Sequence, residues 1–204
     1  MVSGPSGAGK STVLGRVLAE MDHLRFSVSY TTRARRADEA DGRDYHFVDR
    51  VRFEAMVAEG ALLEWANVFG QLYGTGITAT RKVLEARGNL LLDIDVQGAR
   101  QVRQSGASHV SIMLLPPDFA ALEERLRARG SESEAELGRR LARAREEAND
   151  YRYFDYLVVN EDVEATVTEL EAIVRAEGRR TARCTAHVQR ILASFPTEGR
   201  AIKE

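Results

Sequence analysis

The chain has one cysteine, Cys184, in 204 residues, which excludes an internal disulfide framework and a cysteine-built zinc site. Its four histidines, His23, His46, His109 and His187, are scattered, without the spacing of metal ligands. No apolar run is long enough to span a bilayer, and no secretory leader is read at the start. Neither sign of charge is in excess: 29 Lys and Arg stand against 31 Asp and Glu, a formal net charge of −2. That balance gives no general attraction to nucleic acid or to anionic membranes. Internal repeats and low-complexity tracts are also missing. These absences point to a cytosolic protein of one α/β domain, long enough to bury a real core and to carry small insertions.

What is present begins with Gly4-Pro5-Ser6-Gly7-Ala8-Gly9-Lys10-Ser11-Thr12. This is the spacing of a loop that wraps nucleotide phosphates and opens into a helix. Its glycines let successive N–H groups point at an anion, Lys10 adds positive charge, and Ser11 offers a hydroxyl to a magnesium ion. The alternative is a glycine-rich turn that binds nothing. Val13, Leu14, Val17, Leu18 and Met21 then recur at helical spacing, as the motif requires. Only Met1, Val2 and Ser3 precede the loop, although a central strand usually has roughly five or six residues. The natural chain is therefore expected to begin several residues earlier, or its start to be misassigned.

Phe26 to Thr32 reads as a strand followed by Arg33, Arg35 and Arg36. Tyr45 to Val48 reads as a second, and Asp49 as the cap of a helix carrying Phe53, Met56 and Val57. Leu62 to Phe69 and Leu72 to Thr75 form a hairpin about Gly70, in which Glu64 lies either on the solvated face or in a pocket with a partner. A helix around Thr80 to Arg87 leads to the apolar strand Asn89 to Asp95, and a strand over His109 to Leu115 follows. Asp93 and Asp95 stand at a C-terminal strand end, where ligands of open α/β sheets bind; either one also suits the cap of the next helix. Pro116-Pro117-Asp118 starts a helix with Phe119, Leu122 and Leu126 inward. Seven arginines between Arg125 and Arg145, interleaved with glutamates, suggest a salt-bridged helix pair whose connection over Ser131 to Glu134 lets it close as a lid. A last strand, Tyr156 to Val159, and an amphipathic helix complete a doubly wound parallel sheet. The tail beyond Gly178 reads equally as a docked helix or a loose end.

The order of these motifs resembles guanylate kinase from the phosphate loop to about Ala176. The residues that carry the likeness are the loop itself, Ser27-Val28-Ser29, Thr31-Thr32-Arg33 with Arg36, Gly42-Arg43-Asp44-Tyr45, Glu64-Trp65-Ala66, Tyr73-Gly74-Thr75, Asp93-Ile94-Asp95 with Gln97-Gly98, Pro116-Pro117, Arg129-Gly130 and Val159-Asn160. The resemblance implies a phosphate-loop NTPase fold over 1–178. Its core would be 1–25, 76–124 and 146–178, with an insertion over 26–75 that binds guanosine monophosphate (GMP), a lid over 125–145, and a tail over 179–204.

It implies phosphorylation of GMP to GDP by ATP with Mg²⁺. Arg33, Arg36, Tyr45 and Tyr73 match the positions that hold the GMP phosphate. Ser29, Glu64, Thr75 and Asp95 match those around the guanine. Lys10, Arg129 and Arg140 would neutralise charge during transfer, with Arg125 a further candidate. Asn160 matches a position near the adenine of ATP, whose phosphates lie in the loop from Gly4 to Thr12, and Ser11 and Asp93 would hold the metal. Tyr30 replaces a smaller family residue and is expected to crowd the base pocket. Two rivals stay open here: a scaffold module of the same fold that binds phosphopeptides, and a kinase acting on another monophosphate.

Overall fold

A computed structural model describes residues 1–86, 88–128 and 133–195. The first part of the chain runs β1 (Val2–Ser3), α1 (Lys10–Glu20) and β2 (Leu24–Phe26). Then come β3 (Tyr30–Thr31), β4 (His46–Phe47), α2 (Arg50–Ala58), β5 (Leu62–Val68) and β6 (Gln71–Gly76). After α3 (Ile77–Glu85), β7 (Asn89–Leu91), α4 (Val96–Gln104) and β8 (Ile112–Leu115) follow α5 (Phe119–Ala128) and α6 (Glu134–Ala148). A 3-10 turn, β9 (Tyr156–Val159), α7 (Val163–Glu177) and α8 (Thr181–Ala193) complete it.

β1, β8 and β9 form one parallel sheet, and β2 pairs with β7 in parallel. A bridge between Val2 and Asp93 joins the two, giving the order β2-β7-β1-β8-β9. The strand expected over Asn89 to Asp95 thus changes partner midway. Leu91 is paired with β2, whereas Leu92 and Ile94 bond to the backbone of Val2. Neighbouring strand residues point to opposite faces, so Val2 and Leu91 join a core with α1 and α7, while Met1 and Leu92 join another with α4. Apolar burial on both faces is what a doubly wound sheet requires.

The strand expected from Phe26 to Thr32 is divided. Its start pairs with β7, and only Tyr30 and Thr31 enter the second sheet, ordered β4-β3-β6-β5. Asp49 caps α2 by accepting from the Arg52 N–H at 2.7 Å, as expected. Phe119, expected inward, is exposed, because Leu122 and Leu126 are the residues of α5 that meet the core. α3 starts at Ile77, ahead of the expected Thr80, and Arg87 lies outside the described residues. The tail contributes α8, a helix with no buried residue.

Burial ranks these segments. Leu114→Ala, at a fully buried position of β8, should destabilise the protein by about 2–5 kcal/mol in urea unfolding, while Leu192→Ala on α8 should stay within about 0.5 kcal/mol.

Candidate active site

The phosphate loop leaves the C-terminal end of β1, the central strand. Gly9, with φ of 91°, is the N-cap of α1 and makes no side-chain cap, so the first amides of the helix face the loop unbonded by a capping group. A Cβ on Gly9 would stand 2.3 Å from the Asn160 side-chain nitrogen. Asn160 is buried behind the loop, where its amide donates to Ala8 O at 2.8 Å and its oxygen accepts from the Thr166 hydroxyl at 3.2 Å. Arg125 supports the same corner, donating to the backbone carbonyl of Asn160 at 2.9 Å and to that of Ala8 at 3.5 Å. Lys10 is folded across the loop, its ammonium donating to Gly4 O at 2.6 Å.

A cavity of about 770 Å³ opens from this loop and reaches the sheet of β3 to β6. It brings together most of the residues singled out from sequence. Gly4, Pro5, Ser6, Gly7, Gly9, Lys10 and Ser11 line one end, with Asp93 and Arg140 beside them. Ser29, Arg33, Arg36, Tyr45, Glu64, Tyr73 and Asp95 line the other. Ala8 is buried beneath the loop and Thr12 is exposed on α1, so neither lines the cavity. Arg129 lies outside the described residues. Tyr30 does not crowd the cavity: strand alternation sends Ser29 inward and turns the Tyr30 ring onto Gly76 and onto His46, 4.7 Å away.

Glu64 resolves the alternative left by the sequence. β5 alternates, with Leu62, Glu64 and Ala66 buried and Trp65 and Asn67 outward. The antiparallel register sets Glu64 opposite Thr75, whose hydroxyl donates to the carboxylate at 2.6 Å. Burial, opposed by that hydrogen bond and aided by the charge of Asp95, pushes the Glu64 carboxyl up to about 7. Gly98 makes room for it: a Cβ there would lie 2.1 Å from Glu64 Oε2. Asp95 caps α4 by accepting from the Gly98 N–H at 2.8 Å and pairs with Arg143 at 3.2 Å.

At the arginine cluster, Arg33 is held end-on by Glu39, at 2.6 and 3.0 Å, and its guanidinium lies 5.3 Å from the Tyr45 ring centroid. Tyr73 packs edge-on to Tyr45 at 5.9 Å, while Arg36 extends at the rim with a largely exposed side chain. Burial pushes the Tyr45 hydroxyl up to about 12. Glu39, Arg143, Glu147 and Phe69 line the cavity too, and sequence reading passed over their part in the site. Arg143 was hidden among the arginines of a helix that looked salt-bridged throughout. Phe69 was taken into the strand, although an aromatic directly before Gly70 at the head of a tight hairpin is itself a signal.

The donor set suits a magnesium ion bound with nucleotide phosphates. Burial pushes the Asp93 carboxyl up and only the Lys10 charge is drawn on to offset it, so a divalent cation would relieve a desolvated carboxylate there. Among the described residues no group of three or more His, Cys, Asp or Glu could cage a metal. An ion here would accordingly take most of its ligands from phosphate and water, the usual habit of Mg²⁺.

Two outcomes follow from the Glu64 pocket. Because this carboxyl titrates above its unfolded value, its contribution to stability is complete below the ordinary carboxylate range and is lost as pH rises through about 7. The melting temperature of Glu64→Gln should therefore exceed that of wild type by a margin that grows from pH 5.5 to 8.5. Gly98→Ala, which forces the carboxylate out of its seat, should destabilise the protein by about 1–3 kcal/mol in urea unfolding.

The family model for guanylate kinase matches residues 1–177. The chain is 44% identical to a guanylate kinase of Syntrophotalea carbinolica over 94% of its own length and 91% of that relative's. It is 45% identical to one of Zymomonas mobilis, over 87% of this chain and 82% of the relative. Among solved structures, a guanylate kinase from Anaplasma phagocytophilum superposes with a TM-score of 0.77 at 35% identity, covering 97% of this chain and 94% of that one. With its loop, its buried glutamate and its arginine cluster arranged about one cavity, the chain belongs to the guanylate kinase family.

Proposed function

We propose that the chain transfers the γ-phosphoryl group of ATP to GMP, giving ADP and GDP, with the insertion over 26–75 as the GMP lobe and 125–145 as the lid. The observation that carries this reading is the buried Glu64, held from behind by the Thr75 hydroxyl, which lines the same cavity as the phosphate loop. Guanine presents N1–H and an exocyclic amine side by side, and one ionised carboxylate accepts both. Adenine has an acceptor at N1 and no amine at C2, so the Glu64 carboxylate would keep only its Thr75 bond and be left buried and short of donors, a loss of the size that gives discrimination of roughly 10⁴. Thr75 orients the carboxylate, and Ser29 and Asp95 flank the base.

Arg33, Tyr45 and Tyr73 receive the acceptor phosphate, with Arg36 closing over it from the rim. That phosphate is largely dianionic at neutral pH, so no general base is needed. The difficulty is repulsion between two polyanions. Lys10 swings from its carbonyl partners to the donor phosphates, and Arg140, within 2.9 Å of the Ser6 hydroxyl, faces the same phosphates from the lid. Arg129 is assigned beside it from the family pattern. Ser11 and Asp93 would hold Mg²⁺, which when bound draws charge away from the outer phosphates. The reading puts the chain in the cytosol, which its single cysteine supports.

A coupled assay with ATP and Mg²⁺, offering guanine, adenine, uracil and thymine monophosphates in parallel, tests the reading. Turnover on GMP alone is expected, and equal turnover on another base would overturn the role of Glu64. Lys10→Ala should lower kcat by roughly 10²–10³ with GMP affinity kept. Glu64→Gln should raise KM for GMP by roughly 10- to 100-fold and leave that for ATP unchanged. Wild-type KM for GMP should also fall as pH rises through about 7, where Glu64 ionises, a trend that Glu64→Gln should lack.

A further inference from the structure

The turn between β5 and β6 consists of Phe69 and Gly70, between the paired residues Val68 and Gln71. Both have positive φ, 51° and 84°, as a type I′ hairpin turn requires. Asparagine or aspartate suits the first position of such a turn, whereas a bulky side chain there is strained. Among the described residues Phe69 is the one non-glycine with positive φ. Its ring is not repaid by burial, being 48% exposed and outside the core of the insertion. Local energetics therefore oppose phenylalanine at this position, and the reason for it lies in what the ring touches.

It touches the lid helix. The guanidinium carbon of Arg140 lies 5.5 Å from the ring centroid and that of Arg143 lies 5.0 Å from it, close enough for the ring face to attract both cations. Three residues apart on α6, the two arginines share one face of the helix. They reach opposite ends of the cavity: Arg140 donates to Ser6 in the phosphate loop at 2.9 Å, and Arg143 pairs with Asp95 at 3.2 Å. The hairpin that carries Phe69 also carries Glu64 on one strand and Tyr73 and Thr75 on the other.

We propose that Phe69 is a positioning residue for phosphoryl transfer, its ring fixing Arg140 and Arg143 against the hairpin that receives GMP. The inference rests on the proposed reaction, in which Arg140 faces the transferred phosphoryl group. The strained turn and the exposed ring then have one explanation: the lid arginines are aligned by the same hairpin that reads the acceptor.

The test compares wild type with Phe69→Asn, Phe69→Leu and Phe69→Tyr. Asparagine suits the turn, so Phe69→Asn should melt at the wild-type temperature or above it. Its kcat should nevertheless fall about five- to thirtyfold, with KM for GMP changed less than about twofold. Phe69→Leu keeps an apolar side chain without a π face and should lose the same factor, while Phe69→Tyr should restore wild-type kcat. Hydrogen exchange of the α6 amides in the ligand-free protein reads the contact without turnover, and should be faster in the Asn and Leu variants and normal in Tyr. Wild-type kcat and α6 exchange in Phe69→Asn would overturn the proposal, as would loss of kcat in Phe69→Tyr with a lowered melting temperature. If wild type itself failed to phosphorylate GMP, the proposed reaction would fall, and the exchange measurement would still decide whether the ring holds the lid arginines.

Discussion

One buried amide ties the first loop of this protein to its last strand. Asn160, at the end of β9, donates to the carbonyl of Ala8, and Gly9 is pressed so closely on that amide that no side chain could stand between them. The shape of the phosphate loop is thus imposed from behind by the sheet. α1 begins where the loop leaves off, and Lys10 falls where its ammonium spans the loop carbonyls. The backbone of the loop thus has a geometry determined on folding, which is the preorganisation that phosphate chemistry needs.

The balanced charge of the whole chain conceals a strong local ordering. Two of the arginines that line the cavity are met by carboxylates of the protein: Arg33 by Glu39, and Arg143 by Asp95 and Glu147. These carboxylates hold the guanidinium groups in place within a cleft shared by several cations. On the proposed reading, phosphate meets cations that are already aimed, with little ordering of side chains left to occur on binding. At Glu64 the arrangement is reversed, for there the desolvated carboxyl leans toward its neutral form and a ligand with paired N–H groups favours the charged one.

Legibility in the sequence followed the range of the forces involved. The phosphate loop, the capping aspartate Asp49 and the β5–β6 hairpin depend on neighbours a few residues apart, and their residue types declare them, while the cap of α4 was narrowed only to Asp93 or Asp95. The place of β1 in the centre could be read from the loop that follows it, but not its pairing, which depends on Asp93 and on β8 far along the chain. Glu64 was ambiguous for the same reason. One residue in an apolar run has no stated face until the register with Thr75 is known. The pairings of Glu39 and Arg143, and the ring of Phe69, were illegible because each depends on a segment that the fold brings in from elsewhere, or on a backbone angle that no composition records.

The seat of Glu64 against Gly98 bears on how such a protein can change over time. The glycine lies in the first turn of α4, and the cap of that helix, Asp95, flanks the same pocket. On the reading proposed above, recognition of the base is thereby welded to the start of a helix whose other side is packed in the core through Ala99 and Val102. A new base preference cannot be reached by exchanging one pocket residue, since any group larger than the carboxylate must push a helix that is also holding the sheet. Drift along the exposed tail and the outer arginines is unconstrained by comparison, so lineages of this chain should diverge at the periphery long before the choice of purine moves.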